Sequence, residues 1–211
     1  MLSLCTIVPH TLELLRHLMA EPYLDNCRLV GGTALALQFG HRSSVDLDLF
    51  GDILDDDLSL LEILSRFGKV QGQKTSKMTK AFVVDGIKVD FVNYSHFPWI
   101  DKVIEENGLR LASPKEIAAM KINAIEGRGS KKDFIDLYFL LQHFSFEEIL
   151  YFYTQKYPDN SMFRVRMSLD YFDDAENQDN PKMFEKMDWI RVKETISKEV
   201  KTFDWRKYID K

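Results

Sequence analysis

The run 31–50, GGTALALQFGHRSSVDLDLF, constrains the fold of this chain more than any other stretch. Gly31-Gly32-Thr33 is a glycine turn that opens a short apolar helix over 33–39. Gly40 is suited to end that helix, because glycine enters the left-handed region without a Cβ penalty. A short polar turn then leads into an apolar strand in which Asp46 and Asp48 alternate with Leu47 and Leu49. Side chains alternate along a strand, so both carboxylates leave one face, with Cα atoms about 7 Å apart. The predicted unit is strand, turn, helix, turn, strand, with the glycine turn and the acids at one end of a sheet. Backbone N–H groups and a hydroxyl at a helix N-terminus make an anion site. Two carboxylates at this spacing suit one or two Mg²⁺ ions. Joined, they are what transfer of a nucleotide from a nucleoside triphosphate requires. Each alone is commonplace: Gly-Gly-Thr is usually a tight turn, and Asp-x-Asp a solvated strand end.

The surrounding pattern divides in two. Before residue 112 helices alternate with strands: an amphipathic helix over 9–20, strands at 28–31 and 46–50, and a helix over 58–67 led by Asp55, Asp56 and Asp57. Strands at 81–84 and 87–94 are joined by Asp85-Gly86, a two-residue hairpin signal, and 109–111 forms a further short strand. From Ser113 onward only helices are expected: 114–126, 131–144, 146–157, 162–172 and 188–203. Ser113-Pro114-Lys115-Glu116 carries the cap, proline and glutamate of a helix start, and Ser130 with Asp133 repeats a capping box. The fold class is therefore α+β over 1–112, followed by a helical region over 113–211.

The 211 residues, 45% of them hydrophobic and 12% aromatic, suffice for a real core. A net charge of −5 argues against a protein that coats DNA, while leaving room for a local basic patch from Lys74, Lys77, Lys80, Lys131 and Lys132. These five serve equally well as ordinary solubilising lysines. Cys5 and Cys27 lack the spacing of a disulfide framework, which points to a reducing compartment. With neither a signal-peptide pattern nor an apolar run of about 18 residues, a cytoplasmic protein away from membranes is expected.

Three polar residues stand where apolar ones belong. Lys121 falls inside the stripe formed by Ile117, Ala118, Ala124 and Ile125. Asp136 lies in a helix that is apolar nearly all round, and a buried carboxylate needs a cation or donor, for which Lys121, Arg128 and Lys132 are candidates. Asp90 shares a strand face with Lys88 and Val92, and it joins Asp46 and Asp48 if the two strands are neighbours.

With these residues in view, the chain resembles the nucleotidyltransferases of the AbiEii/AbiGii toxin family, in the polymerase-beta-like nucleotidyltransferase superfamily. Two blocks carry the resemblance: Gly31-Gly32-Thr33 with His41-Arg42-Ser43-Ser44-Val45-Asp46-Leu47-Asp48, and Lys121 with Arg128-Gly129-Ser130-Lys131-Lys132-Asp133-Phe134-Ile135-Asp136-Leu137-Tyr138. The resemblance implies a nucleotidyltransferase core, a mixed sheet flanked by helices, with the helical region completing the active-site cleft. It implies Asp46, Asp48 and Asp90 as ligands of Mg²⁺, two ions or Mn²⁺ in their place. Gly31, Gly32, Thr33, Arg42, Ser44 and Lys121 are implied as nucleotide-binding, with Asp136 holding Lys121 or Lys132. The implied activity moves a nucleoside monophosphate from a nucleoside triphosphate to an acceptor hydroxyl. The setting implied is the toxin of a toxin–antitoxin (abortive infection) pair, with an antitoxin protein as partner and tRNA as acceptor. A protein or small-molecule acceptor, or a nucleotide-binding module without chemistry, are the alternatives.

Overall fold

Seven strands form one mixed sheet in the order β3-β4-β5-β2-β1-β7-β6. They are β1 (Arg28–Leu29), β2 (Leu47–Gly51), β3 (Val70–Thr75), β4 (Thr79–Val84), β5 (Ile87–Asn93), β6 (Ile104–Glu106) and β7 (Leu109–Leu111). The computed structural model describes residues 1–53 and 57–209. Two compact units emerge: Met1–Pro98 with Lys102–Ser113, and Trp99–Asp101 with Pro114–Lys211. Among the described residues no helix is long and apolar enough to cross a membrane.

The first unit holds the whole sheet and three helices, α1 (Pro9–Met19), α2 (Gly31–Phe39) and α3 (Asp57–Ser65). β4 and β5 pair antiparallel across the Asp85-Gly86 turn, where Asp85 and Gly86 both adopt positive φ. β5 and β2 run parallel, β2 and β1 antiparallel, and β1 and β7 parallel. Leu47 and Leu49 of β2 and Val89 and Phe91 of β5 are buried on one face, so the acids between them turn to the other. Arg110 on β7 ties this sheet to the end of α1. Its guanidinium donates to the carbonyls of Cys27 (3.1 Å), Met19 (2.8 Å) and Leu24 (2.9 Å), which satisfies carbonyls that a helix end leaves open. Cys5 is exposed and Cys27 buried, both as free thiols, and burial pushes the Cys27 thiol up to about 12.

The second unit contains α4 (Pro114–Gly127), α5 (Lys131–Leu140), α6 (Phe146–Lys156), α7 (Met162–Leu169), α8 (Asp173–Glu176), α9 (Trp189–Thr202) and α10 (Arg206–Ile209). α4 is its central helix, packed by α5, α6 and α7, while α9 covers α5. Within this unit Glu116 and Lys156 form a fully buried pair at 2.6 Å. The same Glu116 carboxylate accepts the backbone N–H groups of Ile100 and Asp101, and the Lys156 ammonium lies 4.9 Å from the Trp99 ring centre. Those contacts hold the 99–101 excursion in the helical unit.

Several boundaries differ from the sequence reading. Gly31, expected to end a strand, is the first residue of α2, because β1 stops at Leu29. β3 and β6 were not expected at all; they are the two edge strands, paired on one side only, and their sequences do not alternate. α5 ends at Leu140 rather than near 144, since Ser145 already caps α6 through a true capping box with Glu148. The helix expected over 162–172 stops at Leu169 and restarts as the short α8. Asp55 and Asp56, read as charges ahead of α3, lie outside the described residues, as does the side chain of Asp57.

Candidate active site

The site grows from the passage of β1 into α2. The Val30 N–H donates to the Asp48 carbonyl at 2.9 Å, the last antiparallel link before the chain turns into the helix. Gly31 follows with φ of 69°, and a Cβ placed on it would stand 2.5 Å from Asp48 Oδ2. Any side chain there meets both backbone strain and the carboxylate itself. The Asp48 carboxylate therefore rests against the first residue of α2, where the N–H groups of the opening turn lack acceptors in the helix and negative charge is favoured.

Thr33 is 1% exposed, and its hydroxyl bridges the Ser44 hydroxyl (2.8 Å) and the Asp46 carbonyl. This corrects the expectation that the hydroxyl faces a phosphate. It braces the first turn of α2 against the segment that leads into β2, and Ser44 takes part in the same brace. Arg42 differs similarly from expectation: it is 3% exposed, and one guanidinium nitrogen donates to the Ser43 carbonyl at 3.0 Å. In this conformation it braces its own loop.

Asp90 stands directly across the parallel ladder from Asp48. Aligned residues of neighbouring strands share a face, with Cα atoms about 4.8 Å apart. Asp90 Oδ2 is paired with the Lys88 ammonium, whereas Asp90 Oδ1 is buried with no hydrogen-bond partner. Burial alone lowers the Lys88 pKa, but the Asp90 hydrogen bond and the charges of Asp90, Asp48 and Asp46 outweigh it and raise the pKa. A single cation thus feels all three carboxylates.

The donor set suits a divalent ion in part. Mg²⁺ is usually held by one or two carboxylates, with phosphate and water supplying the rest, and Asp48 facing Asp90 with a partnerless buried oxygen meets that requirement. The convergence of Asp46, Asp48 and Asp90 expected from the sequence is not seen: among the described residues no three His, Cys, Asp or Glu side chains are grouped to hold a metal. Asp46 precedes β2, and its carbonyl accepts a hydrogen bond from the Thr33 hydroxyl.

Lys121 and Asp136 belong to the second unit, where they form a charge cluster of their own. The Lys121 ammonium lies 2.6 Å from Asp136 Oδ2 and 2.9 Å from Asp133 Oδ1. Arg128 donates to both Asp133 oxygens (2.9 and 3.2 Å), and the Ser130 hydroxyl contacts Asp133 Oδ2 at 2.5 Å. Both aspartates are fully buried. Burial raises the Asp133 pKa, but Lys121, Arg128 and Ser130 together hold it well below the usual carboxylate range. Asp133 therefore does not cap α5 as the Ser-x-x-Asp pattern suggested, and the Ser130 side chain makes no capping bond to the helix backbone. Sequence reasoning missed Asp133 as the second partner of Lys121. It also passed over Lys88, whose spacing of two from Asp90 was the available signal.

With this geometry in place, similarity to known proteins becomes informative. Residues 13–211 match the family model described as nucleotidyl transferase AbiEii toxin, type IV toxin–antitoxin system. The chain belongs to the AbiEii nucleotidyltransferase toxin family. An uncharacterized protein of Aquifex aeolicus is 33% identical over 199 residues, covering 90% of this chain and 94% of that protein. The fold is similar to that of JHP933 from Helicobacter pylori, with a TM-score of 0.55 at 17% identity over 92% of each chain. It is also similar to MenT4, a nucleotidyltransferase toxin of Mycobacterium tuberculosis. There the TM-score is 0.55 at 13% identity, over 92% of this chain and 84% of that one. The AbiEii match takes in both blocks, from Gly31 to Asp136.

Proposed function

We propose that the first unit carries the chemical centre of a divalent-metal-dependent nucleotidyltransferase that uses a nucleoside triphosphate. The observation behind this is the contact of Gly31 with Asp48: the anion-binding turn and the acidic face meet at one point, and only glycine permits it. The N–H groups of Gly31, Gly32 and Thr33 orient the β- and γ-phosphates, while the Thr33–Ser44–Asp46 brace fixes the turn relative to β2. Asp48 and Asp90 would hold Mg²⁺, or Mn²⁺, with Asp46 adding negative charge. When bound, the metal lowers the pKa of the acceptor hydroxyl and offsets charge on the phosphates. Asp90 accepts the hydroxyl proton as the acceptor oxygen bonds to the α-phosphorus and pyrophosphate leaves.

In the second unit Asp133 and Asp136 fix the position and charge of Lys121. Arg42, turned inward, supports the loop before β2. The family supports an antitoxin partner, and to it we add the proposal of a cytoplasmic toxin with a tRNA 3′ end as acceptor.

Incubation with each α-³²P-labelled nucleoside triphosphate, Mg²⁺ and total tRNA tests this, with Asp48→Ala as control. Label on tRNA that is lost in the variant supports the proposal and identifies the base. Label on protein moves the acceptor away from RNA, and no transfer to any acceptor contradicts the assignment.

A further inference from the structure

Lys88 is a charged residue of the acidic face that the proposed reaction leaves unused. It lies two residues before Asp90 on β5, so the two side chains leave the same face of the strand. Its ammonium holds Asp90 Oδ2, and the charges of Asp48 and Asp46 act on it as well. Its side chain remains 52% exposed, against 16% for Asp90. The cation thus sits among the acids at the end of a flexible four-carbon stem with a clear route to water.

Two carboxylates facing each other across a ladder destabilise the strand pair unless a positive charge lies between them. Lys88 brings such a charge to Asp90 Oδ2 from within the chain. A divalent ion needs the same carboxylate oxygen, and it is repelled by an ammonium that stays nearby.

We propose that Lys88 is a retractable counter-ion of the acidic face, holding Asp90 Oδ2 when no divalent ion is bound and yielding it when one arrives. The proposal rests on Asp48 and Asp90 being metal ligands. Lys88 then weakens binding of the free metal and keeps β2 and β5 paired without it. It acts as a positioning residue.

The test is Mn²⁺ binding to the nucleotide-free protein, read as loss of the free-Mn²⁺ electron paramagnetic resonance signal. Wild type, Lys88→Met, Lys88→Arg and Asp48→Ala are compared at one ionic strength. Lys88→Met keeps the apolar stem and should bind Mn²⁺ about five- to tenfold more tightly. Lys88→Arg should stay near wild type, since it retains the charge. A methionine variant with unchanged or weaker affinity overturns the proposal. If wild-type binding is nonetheless lost in Asp48→Ala, the metal site itself stands. No Mn²⁺ binding by wild type or by Lys88→Met overturns both the Lys88 role and the assignment of the acids.

Discussion

Asp133 shows how much one buried carboxylate can decide. Its pKa is depressed on folding from an ordinary 3.8, so it contributes stability at every pH above about 4. That contribution drains away as the pH falls from the unfolded value toward the folded one. Urea unfolding between pH 7 and pH 3 should show stability dropping below about pH 4, and Asp133→Asn should flatten that limb while lowering stability at pH 7. Removing the cation is the harsher change: Lys121→Ala leaves Asp133 and Asp136 buried without their shared partner, and should destabilise the protein by about 3–5 kcal/mol. The thiols give a simple check on burial, since Ellman's reagent should label Cys5 promptly and Cys27 only on unfolding. The sequence displayed Gly31, Asp46 and Asp48 plainly, because their spacing is local. It hid Asp133, whose Ser-x-x-Asp pattern also fits a cap, and the inward turn of Thr33 and Arg42, which depends on contacts across the loop.

At the scale of elements, legibility followed burial. β2 and β5 sit in the middle of the sheet and announce themselves by buried Leu and Val residues that alternate with polar ones. β3 and β6 lie at its edges and gain their strand form from a single neighbour, so Gln71, Lys74, Glu105 and Glu106 are tolerated there. The ladder register that sets Asp90 opposite Asp48 is a tertiary fact, with no signal in spacing along the chain. The attachment of β7 to α1 through Arg110 is likewise a long-range bond. Arg110→Met keeps the stem and removes three hydrogen bonds to carbonyls, so chemical denaturation should report a loss of about 3 kcal/mol.

For the molecule as a whole, the charge balance would limit how the proposed RNA acceptor is held. Of the five lysines expected to form a basic patch, Lys80 and Lys131 are buried, and Lys131 is spent on the carbonyls of Glu176 and Gln178. With a net charge of −5, binding of tRNA should depend weakly on salt, with a log–log slope smaller than about 3 in magnitude. Titrations of labelled tRNA from low to physiological salt measure that slope directly. The chemistry turns on the point where Gly31 meets Asp48. The decisive measurement is the rate of nucleotidyl transfer by Gly31→Ala, run beside its thermal unfolding midpoint. A loss of at least about a hundredfold is expected, because the added methyl displaces the Asp48 carboxylate and the opening turn of α2 together, with the variant still folded. A folded Gly31→Ala protein that transfers nucleotide at the wild-type rate would contradict it.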